Sequence, residues 1–247
     1  MLFRSVLFTV LFNLGTFVML IFWTPVFFLM SRANGWKVVR VWALYSLWLQ
    51  NWLIGTKFDF RGLEHLKHED GLIVAAKHQS TWETYAMLLF LKDPSYVLKH
   101  ELILLPFFGW FAMKMRMIAV KRGQRGKALK SMASQAREQC AIGRQIIIYP
   151  EGTRKSVDAP ADYRYGIVHM YQEIGSPVIP MALNSGLFWP RRGLRLYPGT
   201  CVLEFLPVIQ PGLEPEVFAE NLRNVIEEKT AELVSEARND PEYSASQ

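Results

Sequence analysis

The stretch GLIVAAKHQSTWET, residues 71–84, decides the fold. Its first six residues are a short apolar run rich in strand formers, which predicts a buried strand that ends at His78. The residues from Thr81 onwards predict a helix that stops before Asp93-Pro94. A histidine at the carboxyl end of a strand lies where open α/β sheets present ligands and catalytic groups.

His78 and Glu83 have two interpretations. Five residues along one helix put two side chains about 140° apart, so the pair can meet only if His78 lies on the strand's exit loop. The carboxylate would then orient the imidazole, and the other ring nitrogen would be free to take a proton from a hydroxyl. Alternatively, Ser80 and Glu83 form a capping box, which has the same S-x-x-E spacing, and His78 is a solvated loop residue. This stretch alone leaves both open.

The rest of the chain repeats the order of strand followed by helix. Strands are predicted in 57–66, at the two ends of 96–123, and in 144–149, 177–183 and 200–211; further helices are predicted in 126–142, 166–175 and 216–238. Such alternation predicts an α/β fold with a mostly parallel central sheet flanked by helices.

The N-terminal region is far more apolar than the rest. From Ser5 to Met30 there is no charged residue, and this run is long enough to cross a bilayer or to lie embedded in one. The next apolar stretch, Val41 to Gly55, is too short to span upright, and its tryptophans suit the water–lipid boundary. A turn at Asn34-Gly35 would join the two stretches. We therefore expect a membrane-associated helical hairpin over residues 1–55, dipping into one leaflet, and a catalytic-sized domain over 56–247.

Two other interpretations of this region stay open. A cleaved signal peptide would have a much shorter apolar core and a small-x-small cleavage site. A buried hairpin of a water-soluble protein would have the same apolar pattern.

Charge and cysteine content narrow the class of protein. The formal net charge is +6, which next to an apolar anchor favours an anionic lipid surface. Nucleic acid is not expected as a partner, because the chain has no nucleic-acid-binding signature and no dense basic run. Cys140 and Cys201 are far apart and lack metal-ligand spacing, which favours a reducing, cytosol-facing setting.

Three further segments carry candidate binding residues. In YPEGTR (149–154) a flexible turn brings backbone donors, a hydroxyl and a guanidinium together, and arginine suits bidentate phosphate recognition. In IAVKRG (118–123) Lys121 and Arg122 follow a strand and form a positive patch. VIPMALNSG (178–186) is a strand followed by a predicted turn. Each segment also has a simpler interpretation. Residues 149–154 could be a surface turn, residues 118–123 a solvated basic loop, and the end of 178–186 an ordinary turn.

These segments, taken in order with HQSTWE (78–83), resemble the four sequence blocks of the bacterial glycerolipid acyltransferases. The resemblance runs from about residue 57 to 210. Glu83 stands where the family usually has aspartate, and in the second block Ala119 and Lys121 replace the family's proline and aspartate. Tyr149 to Arg154 match the third block throughout.

The resemblance implies transfer of a fatty acyl group, from acyl-CoA or acyl carrier protein, to the sn-2 hydroxyl of 1-acyl-glycerol 3-phosphate (lysophosphatidic acid), making phosphatidic acid. It implies that His78 is the general base and that Glu83 holds it.

The same resemblance implies the substrate-binding residues and the setting. The expected ligands of the phosphate are Arg122 and Arg154, with Lys121 in the same patch, and the residues that shape the pocket are Glu151, Gly152 and Thr153. No metal or prosthetic group is implied, because the thioester already activates the acyl carbon. The expected location is the cytoplasmic face of the inner membrane.

Three other functions are alternatives to this one. The first is an acyltransferase with another acceptor, such as glycerol 3-phosphate or another lysolipid. The second is a catalytically silent protein that binds anionic lipid. The third, a lipid-ester hydrolase, lacks support because the chain has no G-x-S-x-G elbow.

Overall fold

The computed structural model describes residues 1–66, 71–121 and 125–244 of the chain. Its α-helices are α1 (Leu2–Phe27), α2 (Arg32–Ile54), α3 (Glu83–Ala86), α4 (Phe108–Lys114), α5 (Arg125–Cys140), α6 (Gly166–Ile174), α7 (Ser185–Phe188), α8 (Pro215–Arg238) and α9 (Pro241–Ser244). Its strands are β1 (Thr56–Arg61), β2 (Ile73–Ala76), β3 (Pro94–Lys99), β4 (Ile118–Val120), β5 (Gln145–Ile148), β6 (Val178–Leu183) and β7 (Gly199–Phe205). Short 3-10 turns follow β1, α3 and β3, at Leu63–Leu66, Met87–Leu89 and His100–Leu104.

Within the described residues, seven strands form one sheet in the order β1-β7-β6-β2-β5-β3-β4. Neighbouring strands are parallel except β6 and β7, which are antiparallel. The predicted α/β fold with a mostly parallel sheet is therefore confirmed. Strands β2, β5 and β6 are buried along their whole length, which explains why they are near-continuous apolar runs in the sequence.

The sheet brings several loops to one edge. Strand β2 pairs in parallel with β5 and with β6, and β5 pairs in parallel with β3. The carboxyl ends of these strands therefore meet at one edge, as in other open α/β sheets. His78 follows β2 at this edge, and the segments after β3, β5 and β6 also begin there.

Helices α1 and α2 form the predicted N-terminal hairpin. One face of α1 packs into the same hydrophobic cluster as the sheet, through Phe8, Phe12 and Phe27, while many apolar side chains on its other face are exposed. Near its start Ser5 donates a hydrogen bond to the carbonyl of Leu196, and near its end Phe27 stacks on Phe111 of α4. Both ends of this helix, which is about 39 Å long at 1.5 Å per residue, therefore contact the rest of the protein.

The hairpin turn lies earlier than the sequence pattern predicted. Helix α2 begins at Arg32, and the Ser31 hydroxyl accepts a hydrogen bond from the Asn34 amide, so Ser31 is the N-cap. The prediction of a turn at Asn34-Gly35 is wrong, because both residues lie inside α2. Gly35 favours close packing there, since a Cβ atom would lie 3.2 Å from the Phe27 ring and 3.1 Å from Met115 Sδ, which is closer than ordinary van der Waals contact.

Asp93 joins the hairpin to the sheet. Its carboxylate accepts hydrogen bonds from Arg32 Nε at 2.8 Å and from Trp36 Nε1 at 2.9 Å, both on α2. Arg144, which is buried before β5, lies 3.3 Å from the same carboxylate. Burial would raise the pKa of Asp93, but these partners lower it below its ordinary value.

Two other boundaries differ from the predictions. The helix predicted from Thr81 is only the short α3 and a 3-10 turn, so it ends at Leu89. The turn predicted at Asn184-Ser185-Gly186 contains the start of the short helix α7. Both differences lie at the edge of the sheet that carries His78, where side-chain contacts shape the chain.

Candidate active site

His78 and Glu83 contact each other at the exit of β2. His78 Nδ1 lies 2.9 Å from Glu83 Oε1. His78 is on the loop and Glu83 is the first residue of α3, which is the arrangement that lets the two side chains meet. The Glu83 side chain is fully buried, whereas 16% of the His78 side chain is exposed.

Several donors besides the imidazole surround the Glu83 carboxylate. Oε1 accepts hydrogen bonds from the amides of Gln79 and Ser80, each at 2.8 Å. Oε2 accepts hydrogen bonds from the hydroxyls of Ser80 at 2.9 Å and Ser185 at 2.8 Å. Burial alone would raise the pKa of Glu83, but the hydrogen bond and charge of His78 and the backbone amides of Ser80 and of Glu83 itself lower it below its ordinary value. Glu83 is therefore ionised at neutral pH, and Nδ1 of the imidazole carries the shared proton.

The structure contains the His78–Glu83 contact together with one part of the capping box. The contact from the Ser80 amide to Glu83 is one half of a capping box, and the Ser80 hydroxyl accepts a hydrogen bond from the Trp82 amide at 2.9 Å. The same carboxylate also contacts the imidazole, so the capping contact does not exclude the pair, and His78 is not the solvated loop residue of the alternative.

The YPEGTR segment packs directly against the histidine. The ring of Tyr149 stacks on the His78 ring, with centroids 3.9 Å apart and planes 18° apart. The His78 amide donates to Glu151 Oε2 at 3.1 Å, and the Lys155 amide donates to the His78 carbonyl at 2.8 Å. His78 is thus held in place by the stacking of its ring and by hydrogen bonds to its backbone amide and its carbonyl.

Glu151, one of the predicted pocket residues, belongs to a buried charge cluster. Lys77 Nζ donates to Glu151 Oε1 at 2.9 Å and to Glu227 Oε1 at 2.7 Å, and Tyr163 donates its hydroxyl proton to the latter oxygen. The side chains of Lys77 and Glu151 are 1% and 0% exposed. Burial raises the pKa of Glu151 above its ordinary value, although Lys77 opposes the shift. This cluster ties the end of β2 to the loop after β5 and to helix α8.

Replacing Lys77 with methionine is expected to destabilise the protein. The change leaves Glu151 and Glu227 facing each other without their cation, which should lower the free energy of unfolding by about 3–5 kcal/mol. Denaturant unfolding measures the loss, with the exposed Lys130→Met as the matched control. Adding Glu151→Gln to Lys77→Met should recover part of the loss, and a double variant whose two losses simply add would contradict the pairing.

Arg154 and its neighbours lie beside the histidine loop. Arg154 Nη1 donates to the Thr81 hydroxyl at 3.0 Å, which holds the guanidinium against the loop between His78 and Glu83. Gly152 has φ of 65°, a conformation that favours glycine, and its amide donates to the Tyr149 carbonyl at 2.8 Å to close the turn. Thr153 is half-buried in the same turn.

The second block lies farther along the same edge of the sheet. Lys121 is exposed and directly follows β4, the last strand of the sheet. Strand β4 lies three positions from β2 in the sheet, and neighbouring strands are about 4.8 Å apart, so the backbone of Lys121 lies about 14 Å from the exit of β2. Arg122, the other predicted ligand in this block, lies outside the described residues.

Contacts from the fourth block were missed by the sequence-based predictions. Ser185 donates to Glu83, and the Gly186 amide donates to Gln79 Oε1 at 2.9 Å. A Cβ atom at position 186 would lie 2.8 Å from Val157 and 3.0 Å from Gln79, so glycine allows this close approach. The only feature of the sequence that could have indicated these contacts is the pair of small residues, Ser185 and Gly186, directly after a buried strand. Lys77, also missed, is a lysine at the end of an apolar strand, and buried lysines are rarely unpaired.

The chain is similar to known acyltransferases along most of its length. A family model described as Acyltransferase matches residues 57–184. The chain is 36% identical over 223 residues to a 1-acyl-sn-glycerol-3-phosphate acyltransferase of Pseudomonas aeruginosa, covering 88% of this chain and 85% of that protein. It is 25% identical to 1-acyl-sn-glycerol-3-phosphate acyltransferase alpha of Mus musculus, covering 73% of this chain and 63% of that protein.

A solved structure has the same fold. The 1-acyl-sn-glycerophosphate (LPA) acyltransferase PlsC from Thermotoga maritima matches with a TM-score of 0.75, covering 94% of this chain and 97% of that one. Its sequence identity to this chain is 19%, so the likeness concerns the fold.

Proposed function

The chain belongs to the acyltransferase family, and from that membership we propose that it transfers a fatty acyl group to the sn-2 hydroxyl of 1-acyl-glycerol 3-phosphate. The product is phosphatidic acid, a precursor in phospholipid biosynthesis. The observation that carries the proposal is the 2.9 Å contact between His78 Nδ1 and the buried Glu83 carboxylate.

The reaction uses the imidazole as general base and then as general acid. His78 Nε2 takes the proton of the acceptor hydroxyl while the oxygen attacks the carbonyl carbon of the acyl thioester. Collapse of the tetrahedral intermediate breaks the C–S bond, and the leaving thiolate takes the proton back from the imidazolium. Glu83 stabilises that imidazolium and keeps the ring in the required tautomer. The proposed route forms no covalent acyl-enzyme and needs no metal or prosthetic group.

Basic residues at the same edge of the sheet bind the acceptor's phosphate. Arg154 is held beside the histidine loop by Thr81, so its guanidinium is close to where the hydroxyl reacts. Lys121, exposed at the end of β4, and Arg122, which the family's second block supplies, are proposed as further phosphate ligands. Gly152 and Thr153 shape the turn next to Arg154. Glu151 supports this site indirectly, because its carboxylate is occupied by Lys77 and by the His78 amide.

The hairpin holds the site at the membrane, on the cytoplasmic face of the inner membrane. Helix α1 is long and apolar enough to cross a bilayer by length and composition, and little of its surface is buried in the protein. Because both ends of α1 contact the body of the protein, the helix fits a position along one leaflet better than a crossing. Between α1 and α2 lies a groove of about 690 Å³ whose lining is apolar apart from Lys37, which suits lipid hydrocarbon.

An acceptor and donor screen tests the proposal. The purified protein is offered 1-acyl-glycerol 3-phosphate, glycerol 3-phosphate or a lysophospholipid with a substituted headgroup, each with acyl-CoA or acyl carrier protein. We expect phosphatidic acid from the first acceptor with at least one donor, and about a thousandfold slower formation with the His78→Ala variant. Turnover with glycerol 3-phosphate or the substituted lysolipid instead would overturn the acceptor assignment. No product with any pair would overturn the proposed activity.

A further inference from the structure

The segment 104–113, LLPFFGWFAM, exposes an unusual amount of apolar surface outside the hairpin. It contains no charged residue. Its exposed side chains are Leu104 (70%), Leu105 (49%), Phe108 (42%), Trp110 (41%) and Met113 (54%). The surfaces of water-soluble proteins rarely carry so many large apolar side chains together, and such patches mark interaction sites.

This apolar surface is continuous with that of helix α1. The ring of Phe107 contacts the ring of Phe17 edge-on, with centroids 6.1 Å apart, and Phe17 is itself exposed. On the inner side, Phe111 stacks on Phe27 with centroids 3.9 Å apart. Lys114, at the end of α4, donates to the carbonyl of Phe28 in the hairpin turn. The segment therefore extends the apolar face of the hairpin rather than forming a separate patch.

The segment is held in one shape by a strained turn. Phe107 has φ of 61° and ψ of −63°, and the Phe108 amide donates to the Pro106 carbonyl at 2.7 Å. This is a γ-turn of the strained kind, which persists only where surrounding contacts hold it. Here the Phe107 ring is held by Phe17 and by Trp110, whose centroid is 5.0 Å away. The apolar side chains are thus kept on the surface instead of folding back onto the core.

The charges next to the segment fit an anionic lipid surface. Lys99 precedes it and Arg116 follows it, and both are exposed, as is the acidic Glu101. Lys114 lies at the junction with the hairpin turn. Cations next to an apolar surface favour the headgroup region of an anionic leaflet.

We propose that segment 104–113 is a second membrane-inserting element, which enters the same anionic phospholipid leaflet as the hairpin. The inference rests on the membrane association proposed above. Strand β3 ends at Lys99, at the edge of the sheet where His78 follows β2, so insertion of this segment brings the leaflet to the mouth of the site. Lipid acceptors then reach the imidazole directly from the leaflet.

A fluorescence experiment tests where the segment lies. Cys140 and Cys201 are buried, so a Leu104→Cys variant can be labelled selectively with an environment-sensitive dye. The matched control is Ile142→Cys, because Ile142 is 58% exposed but precedes β5, at the opposite edge of the sheet. Each protein is reconstituted into vesicles of phosphatidylethanolamine and phosphatidylglycerol, some containing lipids with a quencher on the acyl chain.

The label at position 104 should shift to the blue and be quenched by the acyl-chain quencher, and the label at 142 should show neither effect. If the protein floats with the vesicles but the label at 104 is not quenched, the hairpin alone binds lipid and the inference is wrong. A blue shift without quenching would mean contact with protein, including a second copy, and would also overturn it. If the protein does not float with the vesicles at all, the membrane association on which this inference rests is contradicted.

A kinetic arm links insertion to turnover. Leu104→Asp/Leu105→Asp is compared with Ile142→Asp on acceptor presented in vesicles and on a water-soluble, short-chain acceptor. We expect the double variant to lose about tenfold or more in kcat/KM on vesicles only, since two apolar side chains no longer enter lipid. Equal losses on both acceptors, with the control unaffected, would assign the segment a structural role and contradict the proposal.

Discussion

Replacing His78 with alanine is expected to lower kcat about a thousandfold or more and to leave the fold and the membrane attachment unchanged. The imidazole is the group that removes the acceptor's proton, and general-base catalysis contributes about 10²–10⁴ in rate. The surrounding structure should persist, because the backbone contacts of residue 78 with Glu151 and Lys155 do not involve the side chain. Initial rates with saturating 1-acyl-glycerol 3-phosphate measure the effect.

The matched control is His65→Ala. His65 lies in the 3-10 turn after β1, and its side chain is 29% exposed beside Glu64. This control should keep the full rate. Residual activity of more than about a tenth in His78→Ala would contradict the assignment of the general base, provided that circular dichroism shows both variants folded.

Replacing Glu83 with glutamine is expected to lower kcat by at least about a hundredfold. The amide oxygen can still accept hydrogen bonds from the Gln79 and Ser80 amides, and the hydroxyls of Ser80 and Ser185 can turn to accept from the new amide group. The turn should therefore form. What is lost is the negative charge that stabilises the imidazolium in the transition state. Full activity in Glu83→Gln would leave the capping role as the only role of this residue.

The difference in unfolding free energy between wild type and Glu83→Gln should also depend on pH. The pKa of Glu83 is lower in the folded protein than in the unfolded chain, so its ionised form stabilises the fold above the ordinary glutamate range. That contribution is lost as the pH falls through the lower, folded pKa. The difference in unfolding free energy between wild type and variant should accordingly shrink below about pH 4. Denaturant unfolding at several pH values checks it, and a difference that is constant with pH would contradict the ionised state of Glu83.

Local patterns predicted most of the fold because they record burial. The residues of β2, β5 and β6 read as apolar runs since both faces of the central strands are covered. The apolar periodicity of 216–238 predicted α8, whose Phe218, Leu222 and Ile226 are buried. The hairpin turn was misplaced because Asn34-Gly35 has the composition of a turn, whereas Gly35 serves the packing against Phe27 and Met115.

What the sequence by itself determined is the alternating α/β order, the apolar hairpin, and the spacing that allows His78 and Glu83 to meet across a strand exit. Those features depend on neighbours within a few residues. Only the tertiary structure decided which groups hold the pair: Ser185 reaches Glu83 across 102 positions, and Glu227 reaches Lys77 across 150. No local pattern records such contacts, because they form only when the sheet brings the carboxyl ends of separate strands to one edge and helix α8 packs beside them.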